Sequence, residues 1–393
     1  INTCGFIEDA KKEAIENILE AAEYKKTGKC KVLIVTGCLA ERYKNDVTEE
    51  IPEVDVCVGI GADGDIAKIV TDALKGSTEN VFADKYDLNL NSDRILGGYP
   101  FSTYLKIGDG CDNCCTYCAI PKIRGRMRSR TIEDCVKEAA KLAAGGVKEL
   151  TVVAQDTTAY GEDIYGRPML AELLRELCKI EGLHWIRTLY TYPDRITDEL
   201  LETVAQEEKL VKYFDIPLQH VNGDILKRMN RKYTAGEYLE GCRLLRKYFD
   251  HPALTTDVIV GFPGETEEEF KASKEMVSEA KFYETHIFKY SRRKGTRADK
   301  MENQIPEQVK ASRSHEMIEL GKAHQKEYME YYLGKQVEIL FEETTEINGQ
   351  TYWVGHTREY IKVAVLSEKN LENQLVTGEI TEFLQDGIFN CRI

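Results

Sequence analysis

The sequence predicts an α/β protein of three successive parts: an N-terminal parallel α/β domain, a partial (open) α/β TIM-like barrel, and a small antiparallel β-barrel at the C-terminus. Three observations predict it. Short apolar runs alternate with helix-patterned segments through the first 80 residues. Six more strand-like runs, mostly separated by helical patterns, fill about 100–330. Alternating runs with a hairpin signal and no helix between them make up the rest.

The first part, 1–80, opens with a strand ending at Cys4, followed by a helix near 8–26 and strands at 32–37 and 54–60. Ile1 already lies inside that opening strand, which implies an upstream segment. Polar residues with little periodicity follow from about 78 to 98 and end in Gly-Gly-Tyr-Pro, the composition of a linker. The middle part, 98–330, contains the runs STYLKIGDG, KELTVVAQD, HWIRTLYTYP, KYFDIPLQH, ALTTDVIVGFPG and THIFKYSRR. Barrels of this kind place chemistry on the loops after the strands, where Cys111, Asp156, Pro193, Gln219 and Gly264 fall; six units instead of eight imply an incomplete barrel. A charged helix over roughly 306–332 leads into the last part, 331–393, where Asn348-Gly349 marks a hairpin.

Hydrophobic residues at 42%, charged residues at 31% and only 9 prolines describe a packed, globular protein. No apolar run approaches the length of a membrane span, and the N-terminal residues lack a secretory pattern, so a cytoplasmic location and no membrane partner are expected. In that reducing setting the 12 cysteines read as metal ligands or buried small residues, not as a disulfide framework. A net charge of −14 opposes broad binding to nucleic acid, although Lys122, Arg124, Arg126, Arg128 and Arg130 form a local basic patch beside the densest cysteine cluster.

That cluster, GDGCDNCCTYC, parses in two ways. Read as two abutting CxxC pairs that include Cys114, it suits one zinc ion, although structural zinc sites usually hold their pairs apart. Read as CxxxCxxC, it offers the thiolates of Cys111, Cys115 and Cys118, which satisfy three irons of a cubane 4Fe-4S cluster and leave the fourth open for a ligand. The seven histidines form no metal-like pair, and His220 reads as an ordinary core or surface residue.

CxxxCxxC after a first barrel strand resembles the radical S-adenosylmethionine (SAM) superfamily. The resemblance implies that the open iron chelates the methionine moiety of SAM and that reductive cleavage yields a 5′-deoxyadenosyl radical, the cluster cysteines acting as ligands and not as nucleophiles. It also implies cofactor contacts at other strand ends: Gln155 or Asp156 in Ala154-Gln155-Asp156, where the superfamily often has Gly-Gly-Glu; Gly261 and Glu265 in the VIVGFPGE run; and Arg187 and Gln219.

The order of parts is similar to that of the methylthiotransferases, with a C-terminal barrel like a TRAM domain. In that family three cysteines of the N-terminal domain hold a second 4Fe-4S cluster, from which sulfur reaches the substrate. Cys4 in Asn-Thr-Cys-Gly-Phe and Cys38 in Thr-Gly-Cys-Leu match two of them. The third would lie upstream of Ile1, which implies that the chain as given holds its second cluster weakly or not at all; Cys30 and Cys57 read better as unligated. Within the family, INTCGFI, VAQDTTAYG, YTYPDRI and DIPLQHVNGDILKRMNR resemble the type that modifies an aspartate of a small-subunit ribosomal protein (RimO type), more than the MiaB-like type that modifies transfer-RNA adenosine. Charge agrees: from Lys335 to the end there are 5 basic and 10 acidic residues, a difference of −5, which suits a basic protein better than an RNA. The resemblance implies a one-electron donor such as flavodoxin or ferredoxin, and no direct tRNA substrate. A non-catalytic zinc-and-RNA-binding protein is the alternative of another class.

Overall fold

The computed structural model describes residues 1–91, 94–97, 101–385 and 387–393; the Gly-Tyr-Pro end of the expected linker, 98–100, lies outside the described residues. The chain forms two compact units, assembled differently from its sequence order. One consists of Ile1–Arg94, Asp109–Arg128 and Ser291–Glu302; the other of Ile95–Gly108, Ser129–Tyr290 and Asn303–Ile393. The cysteine-rich loop therefore belongs with the N-terminal α/β fold, and the C-terminal barrel belongs with the long parallel sheet.

In the first unit, strands β1 (Asn2–Thr3), β2 (Ile34–Gly37) and β3 (Val56–Cys57) form a parallel sheet in that order. Helix α1 (Glu8–Thr27) places Ala14, Ile18 and Ala22 on one face by their four-residue spacing. These residues pack on Leu33, Val35, Leu39 and Cys57, and the fully buried Ile18 side chain is worth ~1.5–3 kcal/mol.

The second unit is built on six parallel strands: β4 (Ser102–Lys106), β5 (Glu149–Val153), β6 (Trp185–Thr188), β7 (Leu210–Asp215), β8 (Ala253–Val260) and β9 (Glu284–Lys289). They lie side by side in sequence order, leaving β4 and β9 as edges, as the six strand-like runs predict. Crossover helices α2 (Ile132–Ala144), α3 (Asp198–Gln206), α4 (Ala235–Tyr248) and α5 (Glu267–Ala280) each begin at a threonine whose hydroxyl accepts an N–H of the first turn: Thr131, Thr197, Thr234 and Thr266. Thr234 with Glu237 and Thr266 with Glu269 complete capping boxes, so the polypeptide leaves each strand end and enters a helix at a fixed residue.

After helix α6 (Glu307–Glu330), strands β10 (Gln336–Ile347), β11 (Gln350–Thr357), β12 (Lys362–Val365), β13 (Gln374–Gln385) and β14 (Ile388–Arg392) close a barrel in the order β10-β11-β12-β14-β13. Asn348 (φ 52°) and Gly349 (φ 77°) form the hairpin turn with both residues left-handed. The expected all-antiparallel barrel needs one correction: β12 and β14 pair in parallel. Five strands closed in a ring cannot alternate direction at every neighbour, so one like-directed pair is unavoidable. Ile339, Leu340, Phe341, Val363, Ile380 and Phe389 of this barrel share one core with Trp185, Val211, Tyr213, Ala253 and Tyr283 of the parallel sheet and Tyr328, Met329 and Tyr332 at the end of α6.

Among the described residues no helix is long and apolar enough to cross a membrane.

Candidate functional site

The first unit brings together the two cysteine sets the sequence predicts. Thr3 and Gly37 are register partners on the adjacent parallel strands β1 and β2, so Cys4 and Cys38 each stand one residue past a paired position, at the same end of the sheet. Two glycines allow the loops to meet: Gly37 has φ 95°, and a Cβ there would lie 2.5 Å from the Thr3 carbonyl oxygen; a Cβ on Gly5 would lie 2.7 Å from Leu39 Cα. Cys4 is exposed and Cys38 half-buried, whereas Cys57 is buried and its thiol is pushed up to about 11, by burial first and the Glu41 carboxylate second. The Cys30 thiol donates to the Val32 carbonyl at 3.4 Å. Neither has the setting of a ligand.

The Cys111–Cys118 loop leaves the chain at Gly110, whose left-handed backbone (φ 80°) passes so close to Arg126 that a Cβ would sit 2.1 Å from its carbonyl oxygen. Backbone bonds from Cys111 N to Gly125 O (3.2 Å), Cys118 N to Cys115 O (3.0 Å) and Ala298 N to Thr116 O (3.0 Å) hold the loop. Cys111, Cys115 and Cys118 are half-buried, while Cys114 is exposed with φ 51°. That is the division the CxxxCxxC parse makes. Among the described residues, no three His, Cys, Asp or Glu side chains are grouped to hold a single ion.

The basic patch turns out to be largely internal. Arg124 and Arg128 both pair with Asp109, at 2.9 and 3.2 Å, and that carboxylate is fully buried. The other guanidinium nitrogen of Arg124 donates to the Cys38 sulfur at 3.3 Å. Burial works against the Arg124 charge, but Asp109 and then Cys38 outweigh it and hold the guanidinium protonated above its ordinary value. In the second unit, Arg130 pairs with Glu138 at 2.5 Å. Of the five residues, Arg126, whose side chain is 83% accessible, and Lys122, which donates to the Gly295 carbonyl, remain exposed, so the surface part of the patch is small.

At the strand ends of the second unit the residues expected to contact the cofactor differ in how far they are engaged by the protein itself. Gln155 keeps a buried side-chain oxygen with no hydrogen-bond partner, a donor-seeking group after β5. Its neighbour Asp156 is committed: one oxygen accepts from Arg195 at 2.6 Å, the other from the Thr158 hydroxyl at 2.6 Å and Ala159 N at 3.1 Å. Glu265 is committed too. It accepts from His220 Nε2 at 2.9 Å, from Gly261 N at 2.6 Å and from Arg313 at 2.5 Å. Because His220 Nδ1 accepts the Asn222 N–H at 3.0 Å, the proton of the neutral ring lies on Nε2 and is donated to Glu265. Gly261 (φ 72°) makes room for Lys310, whose Cγ would lie 2.1 Å from a Cβ there. Glu265 and Gly261 thus lock their own turn. Arg187 lies within β6, with its Nε on Glu149 at 2.8 Å and its guanidinium 4.6 and 4.8 Å from the Tyr213 and Tyr360 ring centres. It joins the sheet to the C-terminal barrel.

Gln219 extends the β7 line after a break, with φ 67°, its N–H on Asp257 O at 2.7 Å and its carbonyl accepting from Ile259 N at 2.8 Å. It draws attention to residues the sequence reading passed over. Asp257 is raised to about 6, by burial first and the Asp215 charge second, with His286, Arg231 and Gln219 opposing. The available signal was a carboxylate in the middle of the apolar run ALTTDVIV.

The thiols therefore fit iron–sulfur clusters in donor type and exposure, with a guanidinium donor on Cys38, and Gln155 fits as an acceptor for an ammonium group. Residues 105–277 match the family model described as the Radical SAM superfamily, and residues 1–59 match the one described as uncharacterized protein family UPF0004. The fold has solved counterparts: the radical S-adenosylmethionine methyltransferase TsrM from Kitasatospora setae superposes with a TM-score of 0.56 at 15% identity, over 70% of this chain and 59% of that one. Parallel sheet, thiol loop and family match together define a radical SAM enzyme.

The curated relatives refine the class. The ribosomal protein uS12 methylthiotransferase RimO of Clostridioides difficile (strain 630) is 45% identical over 98% of this chain and 88% of its own length; that of Clostridium botulinum (strain Hall) is 47% identical over 88% and 78%. The chain belongs to the RimO family of methylthiotransferases.

Proposed function

We propose that this enzyme adds a methylthio group to the β-carbon of an aspartate in the small-subunit ribosomal protein uS12, using two 4Fe-4S clusters and SAM. The observation that carries the reading is the joining, in one compact unit, of Cys4 and Cys38 at register-matched strand ends with the Cys111, Cys115 and Cys118 loop. When bound, the cluster of that loop supplies the reducing electron that turns SAM into a hydrogen-abstracting radical, which is needed because no acid–base group removes a β-hydrogen of aspartate at neutral pH.

The chain's own residues divide the remaining work. Cys111, Cys115 and Cys118 ligate one cluster, and Cys4 and Cys38 contribute to the other. Gln155 accepts from the cofactor's ammonium with the oxygen it otherwise leaves unsatisfied. Gln219 orders the neighbouring strand end with Asp257. The C-terminal barrel, with a charge difference of −5, attracts a basic protein and repels RNA phosphates. A flavodoxin or ferredoxin supplies the electrons, and the enzyme works in the cytoplasm.

Incubating the reconstituted enzyme with uS12 and, separately, with transfer RNA tests the reading by mass spectrometry. A methylthio-aspartate in uS12 is the expected product. Methylthioadenosine with unmodified uS12 would move the enzyme to the RNA-modifying branch, and a colourless protein holding zinc would remove the radical chemistry altogether.

A further inference from the structure

Outside the thiols themselves, the most informative polar arrangement in the first unit is the buried charge group between the two cysteine sets. Asp109 carries two guanidinium partners, Arg124 at 2.9 Å and Arg128 at 3.2 Å, and Arg128 is braced by the Tyr86 ring 5.2 Å away. Asp109 is fully buried and the two arginine side chains are about one-fifth exposed. The nitrogen of Arg124 that does not pair with Asp109 donates to the Cys38 sulfur at 3.3 Å. Asp109 and Arg124 bracket the Cys111–Cys118 loop in the sequence, so one guanidinium touches the base of that loop and the second thiol set together.

We infer that Arg124 is a positioning residue for sulfur transfer: it ties Cys38 to the base of the Cys111–Cys118 loop and keeps a donor on the sulfur of the second set. The inference rests on the methylthiotransferase reading and adds to it a residue outside both cysteine sets.

The geometry requires arginine. A planar fork can direct one N–H to the Asp109 carboxylate and another to sulfur without rearrangement, whereas a lysine ammonium is a point charge on a flexible stem. A parallel brace secures the other thiol strand: Arg293 donates to the Tyr117 carbonyl and stacks 4.2 Å from the Phe6 ring, and Arg42 donates to the Gly5 carbonyl at 2.7 Å. Those contacts hold the backbone and the ring of the two residues that follow Cys4. Arg124 alone among these arginines reaches a thiol of the second set.

The test compares Arg124→Gln and Arg124→Lys with wild type, all as full-length holoenzyme, and uses Arg126→Gln as a control that removes the same charge from an exposed neighbour. Two quantities are measured. One is methylthio product formed per 5′-deoxyadenosine released. The other is the reduction potential of the N-terminal cluster, isolated by replacing Cys111, Cys115 and Cys118 with Ser. Loss of a partner outside the ligand set typically costs about 10- to 100-fold, and Arg124→Gln is expected to lower the product ratio by that much. It should also shift the potential to more negative values at unchanged iron content, because a hydrogen bond to the cluster's sulfur has gone. Arg124→Lys should recover part of the potential but not the ratio; Arg126→Gln should alter neither.

Wild-type ratio and potential in Arg124→Gln would overturn the inference. If Arg124→Gln does not retain the N-terminal cluster, Arg124→Lys decides: a fallen ratio supports the inference and a wild-type ratio overturns it. A wild-type enzyme that cleaves SAM without forming any methylthio product would count against the functional reading, while the potentials still decide the role of Arg124.

Discussion

Thiolates that hold an iron–sulfur cluster need access and nearby donors, and the cysteines of this chain separate on both. Cys135, Cys178, Cys242 and Cys391 are buried with thiols pushed above their ordinary range chiefly by desolvation, which suppresses the ligating form. Cys111, Cys115 and Cys118 are instead half-buried, in a loop held by backbone hydrogen bonds. Converting Cys115 to Ala is expected to abolish both the brown cluster absorbance of that site and 5′-deoxyadenosine formation, measured by chromatography after dithionite reduction. Cys114→Ala is expected to leave iron content and cleavage unchanged; loss of iron there would favour the four-thiol parse. Cys38→Ala should spare cleavage and stop methylthio product. Gln155 allows a quantitative expectation: a hydrogen bond to a charged group is worth ~1.5–3 kcal/mol, so Gln155→Ala should weaken SAM binding by about 10- to 100-fold by calorimetry. Unchanged affinity would mean that its buried oxygen serves another partner.

Among the elements, the turn after β8 shows most clearly where sequence reasoning stops. The run VIVGFPGE announces a strand, a turn and glycines, and all of these are present, with Gly261 and Gly264 both at positive φ. What it does not disclose is that Glu265 closes the turn on itself by accepting from Gly261 N, His220 and Arg313, because Arg313 arrives from a helix 48 residues later. Removing one partner of a buried ion pair costs ~3–5 kcal/mol, so Glu265→Ala should lower the unfolding free energy by that amount in denaturant titration. A variant that bound SAM poorly at wild-type stability would restore Glu265 to the cofactor. The same logic explains the other revisions. Local patterns such as the CxxxCxxC loop, the strand series and the Asn-Gly hairpin were legible because their determinants lie within a few residues. Arg187 on Glu149, Arg195 on Asp156 and Arg124 on Cys38 were not, because each is a long-range ion pair or hydrogen bond decided by packing.

For the molecule as a whole, the union of the parallel sheet with the C-terminal barrel depends on a buried chain of alternating charges. Arg187 pairs with Glu149, Glu149 with His356 Nε2, and His356 Nδ1 with Glu342 at 3.2 Å. Both ring nitrogens face carboxylates, so both carry protons. Burial disfavours each charge, yet Arg187 and His356 lower Glu149 to about 2, and Glu149 with Glu342 raises His356 to about 9. A raised histidine contributes stability that is complete below its unfolded value of 6.5 and is lost as pH rises through about 9. A lowered glutamate contributes stability that is complete above 4.5 and is lost as pH falls through about 2. The seam is therefore expected to be firmest between about pH 4.5 and 6.5 and to loosen on the alkaline side first as a neutral solution is made basic. Hydrogen exchange of the amides of β11, compared at pH 6.5 and pH 9.5 after correction for intrinsic exchange rates, should show protection falling in the wild type. His356→Leu should show lower protection at pH 6.5 and a much smaller further loss at pH 9.5, since its seam has no imidazolium to discharge. An equal loss in both proteins would assign the pH dependence to another group and leave His356 as packing alone.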